Sequence, residues 1–216
     1  MDDSKLKIGI IGAGHIGGNA ARLFVKAGHE VVISNSRGPE TLDELVDELG
    51  DNASAGTVET ARDFGDIVFI SVPLFRYTEL PTEGWDEKVV IDSDNYYPDR
   101  DGQIAALDAG KTTSSELLAQ HLPGARIVKA FNTIWFEHLR SKGDTSLPLE
   151  ARQVIFVAGD DSEAKAIVAQ LIEDIGFAAG DAGFLSEGGL MMQPNGPLYN
   201  KEFSGAEAQK AIAAGA

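Results

Sequence analysis

The chain has 216 residues, a formal net charge of −16 and no cysteine. That length suffices for one full core, or for one core with a small appended lobe. The negative charge repels nucleic acid and anionic membrane surfaces, and the missing thiols exclude disulfides, thiolate catalysis, iron–sulfur ligation and cysteine-based zinc sites.

In chain order, Met1-Asp2-Asp3-Ser4 is acidic and leads into a strand. Neither a signal peptide nor a membrane span is read there, so a cytoplasmic protein is expected. The apolar run Ile8-Gly9-Ile10-Ile11 then meets Gly12-Ala13-Gly14-His15-Ile16-Gly17, a G-x-G-x-x-G turn between a strand and a helix. In that context Gly12 permits the tight bend, Gly14 lets the backbone approach a diphosphate, and Gly17 lets the helix sit close to the strand. The N–H groups at the helix start, from Gly14 through His15, Ile16 and Gly17, face the phosphates of a dinucleotide.

The helix ends near Gly28, and Glu30-Val31-Val32-Ile33 forms the second strand. An NAD-specific protein carries an acid at the end of that strand to grip the ribose 2′-hydroxyl. Here the positions read Ser34-Asn35-Ser36-Arg37. A hydroxyl and a guanidinium suit a 2′-phosphate, so NADP(H) is the expected nucleotide; a solvated loop charge at Arg37 is the plain alternative. Pro39 then opens a helix with a Leu42, Leu45, Val46 and Leu49 stripe.

A short strand at 53–57 and a short helix at 58–63 precede the buried strand 66–72, which Pro73 ends. Strands follow at 88–92 and 126–131, and between them Thr113 and Glu116 have capping-box spacing. A strand at 153–158, an amphipathic helix at 162–175 and a strand at 177–180 complete the pattern. The Ala-rich tail 205–216 reads as a terminal helix or a frayed end. Strands alternating with helices give an α/β fold with a doubly wound parallel sheet.

Ligands of such sheets bind beyond the carboxyl ends of the strands. Those ends carry Ser71-Val72-Pro73, expected beside the nicotinamide ribose, then Asp92-Ser93-Asp94-Asn95, and then Asn132-Thr133-Ile134. The last two groups are placed where the nicotinamide meets its reaction partner. Asp92, Ser93 and Asp94 read equally well as turn formers. Met191, with Met192 and Phe184, is a candidate for the apolar wall of that pocket, or for ordinary core. No paired carboxylates, nucleophile or metal-ligand set is visible. The four histidines lack ligand spacing and read as structural.

Together these segments resemble the NADP-dependent oxidoreductases of the deazaflavin coenzyme F-420, and the reductase domain of the six-transmembrane metalloreductases. The similarity rests on Gly12 to Gly17, Asn35-Ser36-Arg37, Ser71-Val72-Pro73, Val128 to Ile134, Ala158-Gly159-Asp160-Asp161 and Asp181-Ala182-Gly183. Gly38 and Pro39 stand where that family often carries a second arginine. The resemblance implies an NADP-binding Rossmann-like domain over 1–147 and a small carboxyl-terminal α/β lobe over 148–216, as a homodimer. It implies hydride transfer between NADPH and a flavin-like acceptor, coenzyme F-420 or a free flavin. Ser36 and Arg37 would hold the 2′-phosphate, and Asn132, Thr133 and Ile134 would shape the ring pocket.

Such a reaction needs positioning more than acid–base chemistry, with the reacting carbons held about 3–3.5 Å apart. The expected partner is therefore a small-molecule redox acceptor, with no nucleic acid and no membrane. β-Hydroxyacid dehydrogenases and imine reductases begin with a similar loop, but the residues after Leu147 are too few for their long helical domain. A non-catalytic NADP sensor is the remaining alternative, because fold alone does not decide function.

Overall fold

Alternating apolar strands and amphipathic helices build a single eight-stranded sheet in the computed structural model, which describes residues 5–215. The acidic Met1–Ser4 segment and the last residue of the tail, Ala216, lie outside the described residues. The first half runs β1 (Lys7–Ile11), α1 (His15–Lys26), β2 (Glu30–Ser34), α2 (Asp43–Leu49), β3 (Ala53–Ala55), α3 (Val58–Phe64), β4 (Ile67–Ile70) and β5 (Val89–Asp92). Short helices α4 (Pro98–Asp101) and α5 (Ala105–Asp108) lead to α6 (Ser114–His121) and β6 (Arg126–Ala130). The remainder is α7 (Phe136–Ser141), β7 (Val154–Gly159), α8 (Ser162–Asp174), β8 (Ala178–Asp181), α9 (Leu185–Met192) and α10 (Ala208–Gly215).

The strand order is β3-β2-β1-β4-β5-β6-β7-β8. Its first six positions are the doubly wound Rossmann order, in which the chain reverses direction across the sheet between β1 and β4. β7 and β8 extend this sheet beyond β6. All pairs are parallel except β6 with β7, where Lys129 faces Ala158 in antiparallel register. The sheet is thus mixed rather than parallel throughout. A parallel return needs a crossover that spans the sheet. The six-residue α7 packs on α1 and is too short for that. The chain stays at the same end of the sheet, where the Asp144 N–H donates to the Gly176 carbonyl and Arg152 donates to the Glu173 carbonyl, and β7 enters from there.

Side chains alternate across the strands, and those of β1, β4 and β5 feed two cores. Ile8, Ile10, Phe69 and Ile91 pack with Phe24 of α1 and Phe131 on one face. Ile11, Val68, Ile70 and Val90 pack with Trp85 and Leu118 on the other. A strand buried on both faces needs this continuous apolar composition. The capping box forms as its spacing predicts: Glu116 N–H donates to Thr113 Oγ1 at 3.2 Å, and Thr113 N–H donates to Glu116 Oε2 at 2.7 Å. Among the described residues no helix is long and apolar enough to cross a membrane.

Candidate functional site

Two cavities open at the carboxyl ends of β1, β4, β5 and β6, one on each side of the start of α1. The first, of about 400 Å³, is floored by the glycine loop. Gly12 has φ +108°, and a Cβ there would lie 2.0 Å from the Ser71 carbonyl oxygen. A Cβ at Gly17 would lie 1.9 Å from the Gly12 carbonyl oxygen, so the turn closes only with glycine at both positions. Gly14 differs, because its Cβ would meet nothing within 4 Å. It faces open space, and no side chain caps the helix that begins after it. No acidic residue occupies the first turn of α1 either. Backbone N–H groups and the positive end of the helix dipole are therefore left for an anion, which is the fit a dinucleotide pyrophosphate requires.

Ser36 and Arg37 line the same cavity, with Ser71, Val72 and Pro73 along its wall. Asn35 shapes the turn that carries them: its Oδ1 accepts from the N–H groups of Arg37 at 2.8 Å and Gly38 at 3.0 Å, and its Nδ2 donates to Thr41 Oγ1 at 2.8 Å. Arg37 is exposed, and among the described residues it has no ion-pair partner. Sequence reading missed a second cation here. Arg76, in the turn after Pro73, lines the cavity and donates to Glu79 through Nε at 2.9 Å and Nη2 at 2.6 Å. Only its place just beyond the Ser71-Val72-Pro73 strand end signals it.

The second cavity, of about 230 Å³, lies between α1 and the segment that follows β6. That segment turns away from the sheet because Phe131 adopts φ +65°, an uncommon conformation for a bulky residue. The ring of Phe131 is fully buried and holds the turn by edge contacts to Phe69 at 5.1 Å and Phe24 at 6.2 Å. Asn132, Thr133 and Ile134 consequently line the cavity with Asn95, His15 and Ile16. Met191 does not join them. It is nine-tenths buried in a separate cluster with Phe156, Met192 and Leu198, because α9 turns its apolar face onto β7 and β8. Phe184 is exposed away from the cavity, and Met192 contributes only its carbonyl, which accepts from Asn132 Nδ2 at 2.7 Å.

Beneath the cavity lies a buried polar network that includes a residue not singled out from the sequence, Lys129. Its Nζ donates to the Asp94 carbonyl at 2.9 Å and to Ser114 and Ser115 Oγ at 3.1 Å, and lies 3.7 Å from Asp92 Oδ2. Asp92 also accepts from Ser115 Oγ at 2.6 Å and from the Asp94 N–H at 2.9 Å. Asp94 Oδ1 accepts from the Val72 N–H at 2.9 Å, tying the wall of the first cavity to the floor of the second. Burial, reinforced by Asp92 and opposed by Lys129, holds the Asp94 carboxyl well above the usual carboxylate range. At the far side of the cavity the Tyr97 and Tyr199 hydroxyls bond to one another. Burial, and then Tyr199, push the Tyr97 phenol above its ordinary value.

Residues 7–96 match the family described as "NADP oxidoreductase coenzyme F420-dependent". The metalloreductase STEAP3 of Rattus norvegicus is 27% identical over 182 residues, covering 83% of this chain and 34% of that protein. This chain therefore spans about a third of the length of that relative. A hypothetical protein of Sinorhizobium meliloti is similar along 94% of this chain and 97% of its own, with 31% identity and a TM-score of 0.80. A chain of Arthrobacter sp. FB24, described as "a putative f420 dependent nadp-reductase", shares the fold at 22% identity and a TM-score of 0.69, covering 84% of this chain and 86% of that one. The family match spans the glycine loop, the Ser36-Arg37 turn and the strand end reaching Asn95. Over residues 7–96, therefore, the chain is similar to the coenzyme F420-dependent NADP oxidoreductases.

Proposed function

We propose that the protein transfers a hydride between NADPH and a flat, flavin-like small molecule, the deazaflavin coenzyme F-420 or a free flavin. The observation that carries this reading is the pairing of the two cavities across the N-terminus of α1. One has the uncapped helix start and the Ser36-Arg37 turn; the other is walled by Ile134, Trp135 and Phe136 and lies just beyond the glycine loop. A dinucleotide seated on the loop places its adenosine half in the first cavity and its nicotinamide half toward the second.

The chain's own residues do the binding and positioning. N–H groups of residues 14–17 hold the diphosphate, and Ser36 with Arg37 holds the 2′-phosphate. The Val72 amide, fixed by Asp94, sets the wall that the nicotinamide ribose passes. Asn132 and Asn95 fix the rim on which the two rings meet, and Ile134 with Trp135 excludes water from one side. NADPH, when bound, supplies the hydride. The rate enhancement follows from holding donor and acceptor carbons about 3–3.5 Å apart in a dry pocket.

The test is a titration of the purified protein with NADPH and NADH, followed by the decay of nicotinamide absorbance with coenzyme F-420, FMN, FAD and ferric chelates supplied in turn. Oxidation of NADPH by a ring acceptor, faster than the background rate, is the expected result. Tight NADPH binding with no oxidation by any of them overturns the reading and favours a nucleotide sensor.

A further inference from the structure

The four histidines are not equivalent. His29 Nδ1 accepts from the Leu6 N–H at 3.3 Å in the core, His121 Nε2 bonds the Leu80 carbonyl at 2.9 Å, and His138 Nδ1 lies 3.3 Å from the Glu202 carboxylate. His15 is exposed, and among the described residues neither of its ring nitrogens has a hydrogen-bond partner. It is also the only one of the four that lines the cavity between α1 and the segment after β6.

The placement of His15 is specific. Its backbone belongs to the glycine loop at the first position of α1, but its side chain lines the second cavity and is absent from the walls of the first. The imidazole stacks on Phe136 with centroids 4.4 Å apart and planes inclined by 21°. Phe136 is itself anchored, because Asn19, one helical turn beyond His15, donates through Nδ2 to the Phe136 carbonyl at 2.8 Å. The stack fixes the ring by its face and leaves both nitrogens at its edge available to a ligand.

We propose that His15 is the residue that exchanges a proton with the acceptor ring, an inference that rests on the hydride-transfer reading of the same pocket. When a hydride leaves nicotinamide C4 and bonds to the acceptor ring, the nicotinamide loses two electrons and the acceptor gains them with one hydrogen. The acceptor then carries a negative charge on a ring nitrogen. His15, as the imidazolium, gives up its N–H proton to that nitrogen and keeps the electron pair, which balances the reaction; in the opposite direction the neutral imidazole takes the proton back. Imidazole is the side chain suited to both roles near neutral pH. Thr133, Asn95, Asn132 and Asn200 also line the pocket, but a hydroxyl or amide does not exchange a proton near neutral pH, and the remaining polar side chains are bonded elsewhere. Tyr97 and Tyr199 bond to each other, and Ser93 Oγ donates to the Ile70 carbonyl at 2.9 Å.

The deciding variant is His15→Phe, which preserves the stack on Phe136 and removes the exchangeable proton. With NADPH saturating and coenzyme F-420 or riboflavin as acceptor, kcat should fall about 100-fold, the lower range for loss of a general acid, while the NADPH dissociation constant stays within about threefold. A second readout does not depend on turnover. In protein labelled with ¹³C at the histidine ring, adding NADP⁺ together with riboflavin should move one resonance, the one that His15→Phe removes. A His15→Phe protein with kcat within about threefold of the unmodified chain overturns the proposal, as does a His15 resonance unmoved by bound ligands. If the unmodified chain reduces no ring acceptor at all, the hydride-transfer reading fails and this inference fails with it.

Discussion

Asn132 and Asn95 grip each other's chain: Asn132 Nδ2 donates to Asn95 Oδ1 at 3.1 Å, and Asn95 Nδ2 donates to the Asn132 carbonyl at 2.9 Å. Both amide orientations are determined without ambiguity, because the Asn132 and Met192 carbonyls accept and do not donate. The ends of β5 and β6 are thereby locked where the two rings are proposed to meet.

Replacing Asn132 by Leu should break this lock and lower turnover more than NADPH affinity. The change leaves Asn95 Oδ1 and the Met192 carbonyl without their donor, a loss of about 1–3 kcal/mol in stability for a buried pair. Steady-state kinetics beside a nucleotide titration and a thermal melt check it. An unchanged kcat would move the acceptor pocket elsewhere.

The Ser36-Arg37 turn makes a prediction about nucleotide choice. Arg37→Ala should weaken NADPH by about tenfold and leave NADH nearly unchanged, because only NADPH presents a 2′-phosphate to the guanidinium. Fluorescence titration of both nucleotides measures the ratio. Equal losses for the two would remove Arg37 from the 2′-phosphate site.

Two glycine replacements should fail for different reasons. At Gly14 the new side chain enters open space, so Gly14→Val should fold normally and lose nucleotide binding. At Gly17 the Cβ would sit 1.9 Å from the Gly12 carbonyl oxygen, so Gly17→Val should not yield a normally melting protein. Circular dichroism melts and NADPH titration separate the two cases, and unchanged titration of folded Gly14→Val would refute the phosphate role of the loop.

Asp94 ties stability to pH. Its carboxyl holds its proton in the fold well above the usual range, mainly through burial, whereas the unfolded chain releases that proton near pH 4. The folded state therefore binds more protons than the unfolded state in this window, and the stabilising contribution present at low pH is lost as pH rises toward the raised folded value. Asp94→Asn keeps an oxygen for the Val72 N–H and removes the ionisation. Its melting temperature, relative to the unmodified protein, should improve more at pH 8 than at pH 5. A larger loss at pH 8 would show instead that Asp94 is ionised and pairs with Lys129.

Much of the fold is legible in the chain because it is written in short-range patterns. The capping box of Thr113 and Glu116, the strand 126–130 and the helix after Asp161 follow from spacing and periodicity within a few residues. The glycine loop is legible for the same reason, since its demands arise inside one turn. For Met191 the sequence leaves pocket wall and core both open, because an apolar residue on a helix carries no mark of which neighbour its face meets; its place in the cluster with Phe156 is the core one. Lys129 went unremarked because, within an otherwise apolar strand, its burial depends on partners at Asp92, Asp94, Ser114 and Ser115 that only the folded sheet assembles.

By itself, then, the sequence determines an α/β chain with a dinucleotide loop, a second strand without an acid at its end, and polar residues at the strand termini. Tertiary structure alone decides that β7 runs against β6, that Asn132 reaches Asn95 and Met192, and that the His15 side chain leaves the phosphate loop to stack on Phe136. The reason is range. Backbone sterics and hydrophobic period act between neighbours in the chain, whereas these contacts join residues that only close packing of the sheet and its helices brings together.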